Sequence, residues 1–258
     1  MLPILQIGPL ALRTPLLLVL LGLYLGITLA EARLPKGSLS AAQLNTVVFL
    51  GLGSGLVAAR LVFALRQWTI FAEAPLSLLS LDGGMLDPWA GLVVGALAVL
   101  ISVQRQRLSL WETLDALTPL FAVLGIFSSL AFFASGELYG IPTQMPWGVE
   151  LWGAKRHPLA LYHACAALLI LIVLWRRLGK SRFPGEIFLQ YLLSTSAAWL
   201  FLEAWRANSP LLPGGIRTVQ GVAWFSMALC FWLLNRHARD LVSGSQAQNS
   251  GHIEHQSS

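Results

Sequence analysis

The sequence predicts an all-α, polytopic membrane protein with seven transmembrane helices, an interfacial or re-entrant segment and structured extracytoplasmic loops. Three observations predict it. First, 56% of the 258 residues are hydrophobic and 11% are charged, with a mean hydropathy of +0.68, whereas a soluble domain carries about 25% charged residues. Even a large soluble domain leaves roughly a quarter of its unfolded surface in water, and this chain has too few polar residues to cover it. Second, the apolar residues come in runs near the roughly 20 residues that a helix needs to cross a bilayer. Third, Lys and Arg fall between those runs and form no stripe with interleaved aromatics. The formal charge of +5 and pI near 9.7 therefore read as loop charge at a membrane surface, and nucleic acid is not an expected partner. The ten tryptophans suit an interfacial belt.

Taken in order, the first residues, MLPILQIGPLAL, lack a basic stretch, and no small-residue cleavage site follows the first apolar run, so no secretory signal peptide is expected. Seven runs qualify as spans: 16–30, 43–65, 88–103, 117–134, 157–175, 186–203 and 219–235. The first and third are short and extend into their flanks. Residues 66–86 are apolar but broken by Pro75 and the pair Gly83 and Gly84, the pattern of an interfacial or re-entrant segment. These elements make one membrane domain over 1–242. The polar tail 243–258 is predicted to be disordered.

Orientation follows from the basic residues. Arg33, Lys36, Arg105, Arg107, Arg176, Arg177, Lys180, Arg182, Arg236 and Arg239 fall on one side of the seven spans. The other side receives only Arg13, Arg66, Lys155, Arg156, Arg206 and Arg217. The richer side is the cytoplasmic one, which puts the N-terminus outside and the C-terminus inside.

The poorer side carries the unusual residues. Its loop 136–157, GELYGIPTQMPWGVELWGAKRH, combines glycines, prolines, two acids and a Lys-Arg-His cluster. Backbone demands of that kind mark either a binding loop or a rigid cap on the bundle. Arg60 lies inside a span and Glu203 near the end of one, and ionisable groups at that depth face a cavity or a partner. Glu203 and Arg206 stand three apart on one face, as a structural ion pair or as part of a site. Arg60 has the side chain best suited to a phosphate fork. His157 opens the fifth span beside Pro158, with His163 off its face. Cys165 and Cys230 lie in apolar runs and read as packing residues, and CxxC and HExxH spacings are absent, so no metal is expected.

At these residues the sequence resembles the bacterial prolipoprotein diacylglyceryl transferases. SGELYGIPTQMPWGV from Ser135 is similar to that family's NGELYGRPT…PWG signature, and RHPLALYHA from Arg156 to its RHPSQLYEA stretch. GPLALR, an AAR triplet ending at Arg60, LDGGM from Leu81, EAWR from Glu203 and then Gln220 follow in the family's order, from about Ile7 to Asn235. The resemblance implies a phospholipid-dependent transferase of the bacterial inner membrane. It would move a diacylglyceryl group from phosphatidylglycerol to the lipobox cysteine of lipoprotein precursors, with no cofactor. It implies Glu137, His157 and Glu203 as catalytic residues, and Arg60, Gly83, Gly84, Gly136, Gly140, Arg156, Tyr162 and Arg206 as substrate-binding residues.

Several positions depart from the pattern. The histidine after DGGM is missing, with Trp89 near its place. Ser129 and Phe132 replace the arginine and first asparagine of GRxGNxxNGE. Trp199 replaces the arginine before Glu203, and Pro15 a tyrosine. Three readings stay open: a divergent transferase, a pseudoenzyme that binds phospholipid or lipoprotein, and a small lipid transporter.

Overall fold

The computed structural model describes residues 4–7, 10–34, 39–73, 86–178, 180–211, 215 and 217–256. They fall into two compact units, one of Met1–Arg33 with Leu117–Ser258 and the other of Leu34–Ala116.

The first unit opens with an antiparallel hairpin, β1 (Ile4–Ile7) and β2 (Leu10–Arg13), with Ile4 opposite Arg13. Counting apolar runs has no means of registering so short a pair. Helix α1 (Thr14–Ala32) follows, with Pro15 in its first turn, where a missing N–H costs nothing. Only Gly22, Gly26 and Ala30 of α1 are buried. Spaced four apart, they let α5 (Leu110–Ser135) approach: a Cβ on Gly22 would come 2.5 Å from the Phe127 Cβ, and one on Gly26 2.7 Å from the Leu120 Cδ1. The remaining surface of α1 is leucine-rich and open, with Tyr24 68% exposed. An apolar outside with small residues inside is the arrangement lipid demands. Helices α6 (Leu159–Trp175), α7 (Glu186–Leu202) and α8 (Thr218–Gln256) complete the unit, joined to α5 through the β3–β4 hairpin (Val149–Leu151 and Ala154–Arg156). The Ser196 hydroxyl donates to that of Ser226 at 3.0 Å, linking α7 to α8. Helix α8 runs past Ser243, from which composition predicts disorder, because no proline interrupts 218–256.

In the second unit, α2 (Ala41–Arg66) begins with a capping box. The Gln43 N–H donates to the Ser40 hydroxyl at 3.2 Å, and the Ser40 N–H donates to the Gln43 side chain at 2.9 Å. Helix α4 (Pro88–Arg105) lies against α2 on a face of glycines. A Cβ on Gly55 would sit 2.8 Å from the Gly91 carbonyl oxygen, and one on Gly95 2.9 Å from that of Gly51. Asp87 caps α4 by accepting the Ala90 N–H at 2.9 Å, and its other oxygen pairs with Arg66 at 2.5 Å. That pair joins the end of α2 to the start of α4. Of the segment expected to be interfacial, α3 (Trp68–Glu73) is a short helix, and residues 74–85, with Pro75, Gly83 and Gly84, lie outside the described residues.

Among the described residues six helices are long and apolar enough to cross a membrane. They are Thr14–Ala32, Ala41–Arg66, Pro88–Arg105, Leu110–Ser135, Glu186–Trp205 and Thr218–Arg239. The apolar helix Leu159–Trp175 has 17 residues. It starts two residues later than its apolar run, because the His157 N–H bonds to the Ile141 carbonyl at 3.2 Å and so belongs to the loops.

The α2–α4 face makes a measurable prediction. Gly55→Val drives a side chain into the Gly91 carbonyl and is expected to cost about 1–3 kcal/mol. Gly53→Val, with nothing within 4 Å of its Cβ, is expected to change little. Thermal unfolding of the detergent-solubilised protein should separate the two by several degrees; equal melting temperatures would contradict the close approach.

Candidate functional site

The site is assembled where α5 ends. Gly136, at φ +75°, turns the chain out of the helix while its N–H closes onto the Phe132 carbonyl at 3.0 Å, a left-handed cap that favours glycine. The chain then threads between two other segments. On one side the Gly140 N–H donates to the His157 carbonyl at 3.1 Å and the Thr143 N–H to that of Lys155 at 2.8 Å. On the other the Ile141 N–H donates to the Trp205 carbonyl at 2.8 Å and the Ala207 N–H to that of Tyr139 at 3.1 Å. The GELYGIP stretch is thus the middle rung of a small backbone ladder. Gly140 is required there by space: a Cβ would stand 2.7 Å from the His157 Cβ and 2.9 Å from its carbonyl oxygen.

The β3–β4 hairpin closes with Trp152 and Gly153 at φ +54° and +73°, the backbone of a tight turn that suits strand twist. A tryptophan is an unusual occupant of that conformation. Its ring is 71% exposed and lies 6.4 Å from that of Tyr139. Arg156 is committed to the same loops: its Nε donates to the Leu151 carbonyl at 3.1 Å and its guanidinium sits 5.2 Å from the centroid of Tyr139. Behind the ladder the Trp147 indole N–H donates to the Tyr162 oxygen at 2.8 Å, and that oxygen lies 3.1 Å from the His157 Nδ1.

The third segment follows α7, whose last turn tightens into a 3₁₀ helix, Glu203–Trp205. Glu203 is fully buried. The Ser209 hydroxyl donates to its Oε1, and an Arg206 guanidinium nitrogen stands 3.6 Å from its Oε2. Arg217 donates to the backbone carbonyls of Glu203 and Arg206. The Arg206 Nε donates to the Asn208 side-chain oxygen at 3.1 Å, and the Asn208 amide donates to the Glu137 carbonyl at 2.8 Å. Glu203, Arg206, Asn208 and the loop of Glu137 are therefore one connected network.

These parts surround a cavity of about 830 Å³. Its wall carries Ser135, Gly136, Glu137, Arg206 and Asn208 as polar elements and Phe132, Tyr139, Trp152 and Trp199 as aromatic ones. Of the predicted site residues, Gly136, Glu137 and Arg206 line it directly. Glu203 stands behind Arg206, while Gly140, Arg156, His157 and Tyr162 belong to the ladder that shapes it. Arg60 belongs to the second unit, half-buried with its guanidinium 5.7 Å from the centroid of Phe71. Gly83 and Gly84 lie outside the described residues. At the departed positions, the buried Ser129 turns its hydroxyl onto the Gly125 carbonyl of its own helix at 2.7 Å. Trp199 lines the cavity and packs its ring 4.3 Å from that of His163. Asn208, Ser209 and Arg217 were not singled out from the sequence; their one signal is their place just after EAWR in a loop otherwise poor in polar side chains. Among the described residues no three of His, Cys, Asp or Glu gather as metal ligands.

The family model of prolipoprotein diacylglyceryl transferase matches residues 3–236. Similar proteins include the phosphatidylglycerol–prolipoprotein diacylglyceryl transferases of Streptococcus pyogenes serotypes M5, M49 and M1. Each is 28% identical over 229 residues, covering 85% of this chain and 88% of the relative.

The ladder yields the second prediction. Gly140→Ala is expected to destabilise the protein by about 1–3 kcal/mol and to open the cavity wall. Gly153→Ala, strained by its φ but with nothing within 4 Å of its Cβ, should leave the wall intact. Protection of the Ile141 and Ala207 amides from hydrogen exchange reads the difference; protection that survives in Gly140→Ala would count against the ladder.

Proposed function

The chain belongs to the prolipoprotein diacylglyceryl transferase family, and from that premise we propose that it transfers a diacylglyceryl group from phosphatidylglycerol to the cysteine thiol of lipoprotein precursors. The observation that carries the proposal is the match over nearly the whole chain, with the GELYG motif lining the cavity and the PWG and RHP…LY motifs bonded to one another behind it. In the reaction the cysteine sulfur attacks the glyceryl carbon that bears the phosphate ester. The carbon–oxygen bond breaks, a thioether forms, and glycerol phosphate leaves with the electron pair and, finally, the thiol's proton.

This chain's residues divide the work as follows. Arg206 holds the phosphate and stabilises the charge that grows on its leaving oxygen. Buried Glu203 fixes the guanidinium, helped by Asn208 on the other side. Glu137 on the wall and His157 in the ladder are the groups assigned to proton transfer. Gly136 and Gly140 serve by backbone geometry, Arg156 and Tyr162 by holding the loops in place. Arg60 is assigned a phosphate contact within its own unit on the fork geometry of its side chain. The seventh span is the helix Leu159–Trp175, since 17 residues lie at the lower limit for crossing a bilayer. The distribution of Lys and Arg supports an extracytoplasmic N-terminus and a cytoplasmic C-terminus in the bacterial inner membrane, with 1–242 as the membrane domain.

A second reading has a specific observation behind it. Ser129 and Trp199 stand where the family pattern has arginines, so a phospholipid-binding relative without turnover would keep this cavity.

The deciding experiment uses the full chain in detergent with phosphatidylglycerol and a lipobox peptide. Thioether formation with release of glycerol phosphate is expected. Arg206→Ala should slow it on the order of 100-fold or more, with partial recovery in Arg206→Lys. Retention of phosphatidylglycerol with no thioether would favour the second reading. For topology, a reporter fused after Leu241 should read cytoplasm and one inserted beside Gln144 the outside; the opposite pair of signals would reverse the orientation.

A further inference from the structure

Arg217 stands closer to the site than its place in the chain suggests. It lies just before α8, and its Nη1 donates to two backbone carbonyls at the end of α7, that of Glu203 and, at 3.1 Å, that of Arg206. Arg206 lines the cavity, and so does Val219, two residues beyond Arg217. The half-buried guanidinium is thereby tied to the wall through its bonds and through its chain. Its loop is held as well: Leu211 bridges to Arg217, and the Thr218 N–H donates to the Pro210 carbonyl at 3.1 Å.

Capping uses only part of this side chain. The carbonyls that end a helix attract a cation, and Nη1 serves them. Nε and Nη2 form the other edge, the fork that meets a phosphate in two parallel hydrogen bonds. Among the described residues neither nitrogen has a partner, and no carboxylate lies within ion-pair distance of Arg217. The acid of the same turn, Glu203, is engaged by Ser209 and Arg206. Charge around the cavity points the same way. Arg156, Arg206 and Arg217 stand against Glu137 and Glu203, while Lys155 and Glu150 oppose one another in the β3–β4 hairpin. The balance is positive, which suits an anionic headgroup.

The family pattern has an arginine where this chain has Trp199, four residues before Glu203. Through the Glu203 carbonyl, Arg217 brings a guanidinium back to that end of α7. We propose that Arg217 is a second phosphate-binding residue of the site, sharing with Arg206 the phosphate of the diacylglyceryl donor and of the glycerol phosphate that leaves. This rests on the transferase reading above.

The test gives the full chain, in detergent, phosphatidylglycerol and a lipobox peptide, and measures the KM for each substrate and inhibition by glycerol phosphate. Arg217→Lys keeps a cation that reaches the carbonyls but removes the fork. It is expected to raise the KM for phosphatidylglycerol and to weaken inhibition by glycerol phosphate, each about tenfold, with the KM for the peptide unchanged. Wild-type values in Arg217→Lys would overturn the inference and leave the transferase reading standing. So would a change that affects lipid and peptide alike, which would make Arg217 a cap of α7 and nothing more. If the wild type yields no thioether, the transferase reading fails and binding decides this one. Native mass spectrometry should then show phosphatidylglycerol retained by the wild type and largely lost from Arg217→Lys, and retention by neither or equally by both would overturn it.

Discussion

The cavity depends on the passage of residues 139–141 between two other stretches of backbone. Hydrogen bonds leave this short segment on both sides, to His157 before α6 and to Trp205 and Ala207 after α7. Both ends of the α5–α6 connection and the start of the α7–α8 connection are thereby fixed to within a hydrogen bond of one another, and Glu137, Arg206 and Asn208 of the wall are placed by them. The constraint is steric before it is chemical. Without a glycine at 140, the carbonyl and Cβ of His157 could not come so near, and Glu137, Arg206 and Trp152 would no longer share a wall. Buried backbone groups must also find partners, and the ladder satisfies those of an irregular loop at the membrane surface without a larger sheet.

The second requirement is the accommodation of Glu203. A fully buried carboxylate is tolerated only with partners, and it has two: the Ser209 hydroxyl on one oxygen and the Arg206 guanidinium beside the other, while Arg217 holds the backbone carbonyls of the same turn. Removing one member of such a set costs more than the set contributes, because the remainder is left unsatisfied. Arg206 is therefore presented to the cavity in a fixed position, partly neutralised. Rigidity and a reduced charge have the same cause.

How much of this the sequence discloses follows from which forces act locally. The spans are legible because lipid requires apolar runs of a set length, and the boundaries of α2, α4 and α7 fall within two residues of the runs at most of their ends. Helix α5 begins at Leu110, seven residues before its run, because Thr113 and Asp115 are polar yet helical. Gly136 and Gly140 are recognisable as special, but the sequence alone does not separate a glycine that touches substrate from one that makes room for a carbonyl; in the structure Gly136 caps α5 and lines the cavity, and Gly140 makes room for His157. Asn208 acts through Glu137, far away in the chain, and Ser209 and Arg217 act on Glu203 and Arg206 across an irregular loop. No spacing rule reports a contact of that kind.

The departures from the family pattern look damaging one residue at a time and coherent together. Where the family's RHPSQLYEA stretch has a glutamate, this chain has His163, and where the pattern has an arginine before Glu203 it has Trp199. The two replacements touch, ring to ring at 4.3 Å. An acid and a base have thus given way to two aromatic rings at one place. The site has been made less charged without being opened: Trp199 still forms its wall, and Ser129, the other departed position, satisfies its hydroxyl within its own helix. A wall with two aromatic rings where the pattern has charges remains a shaped cavity, with Arg206 still presented on it.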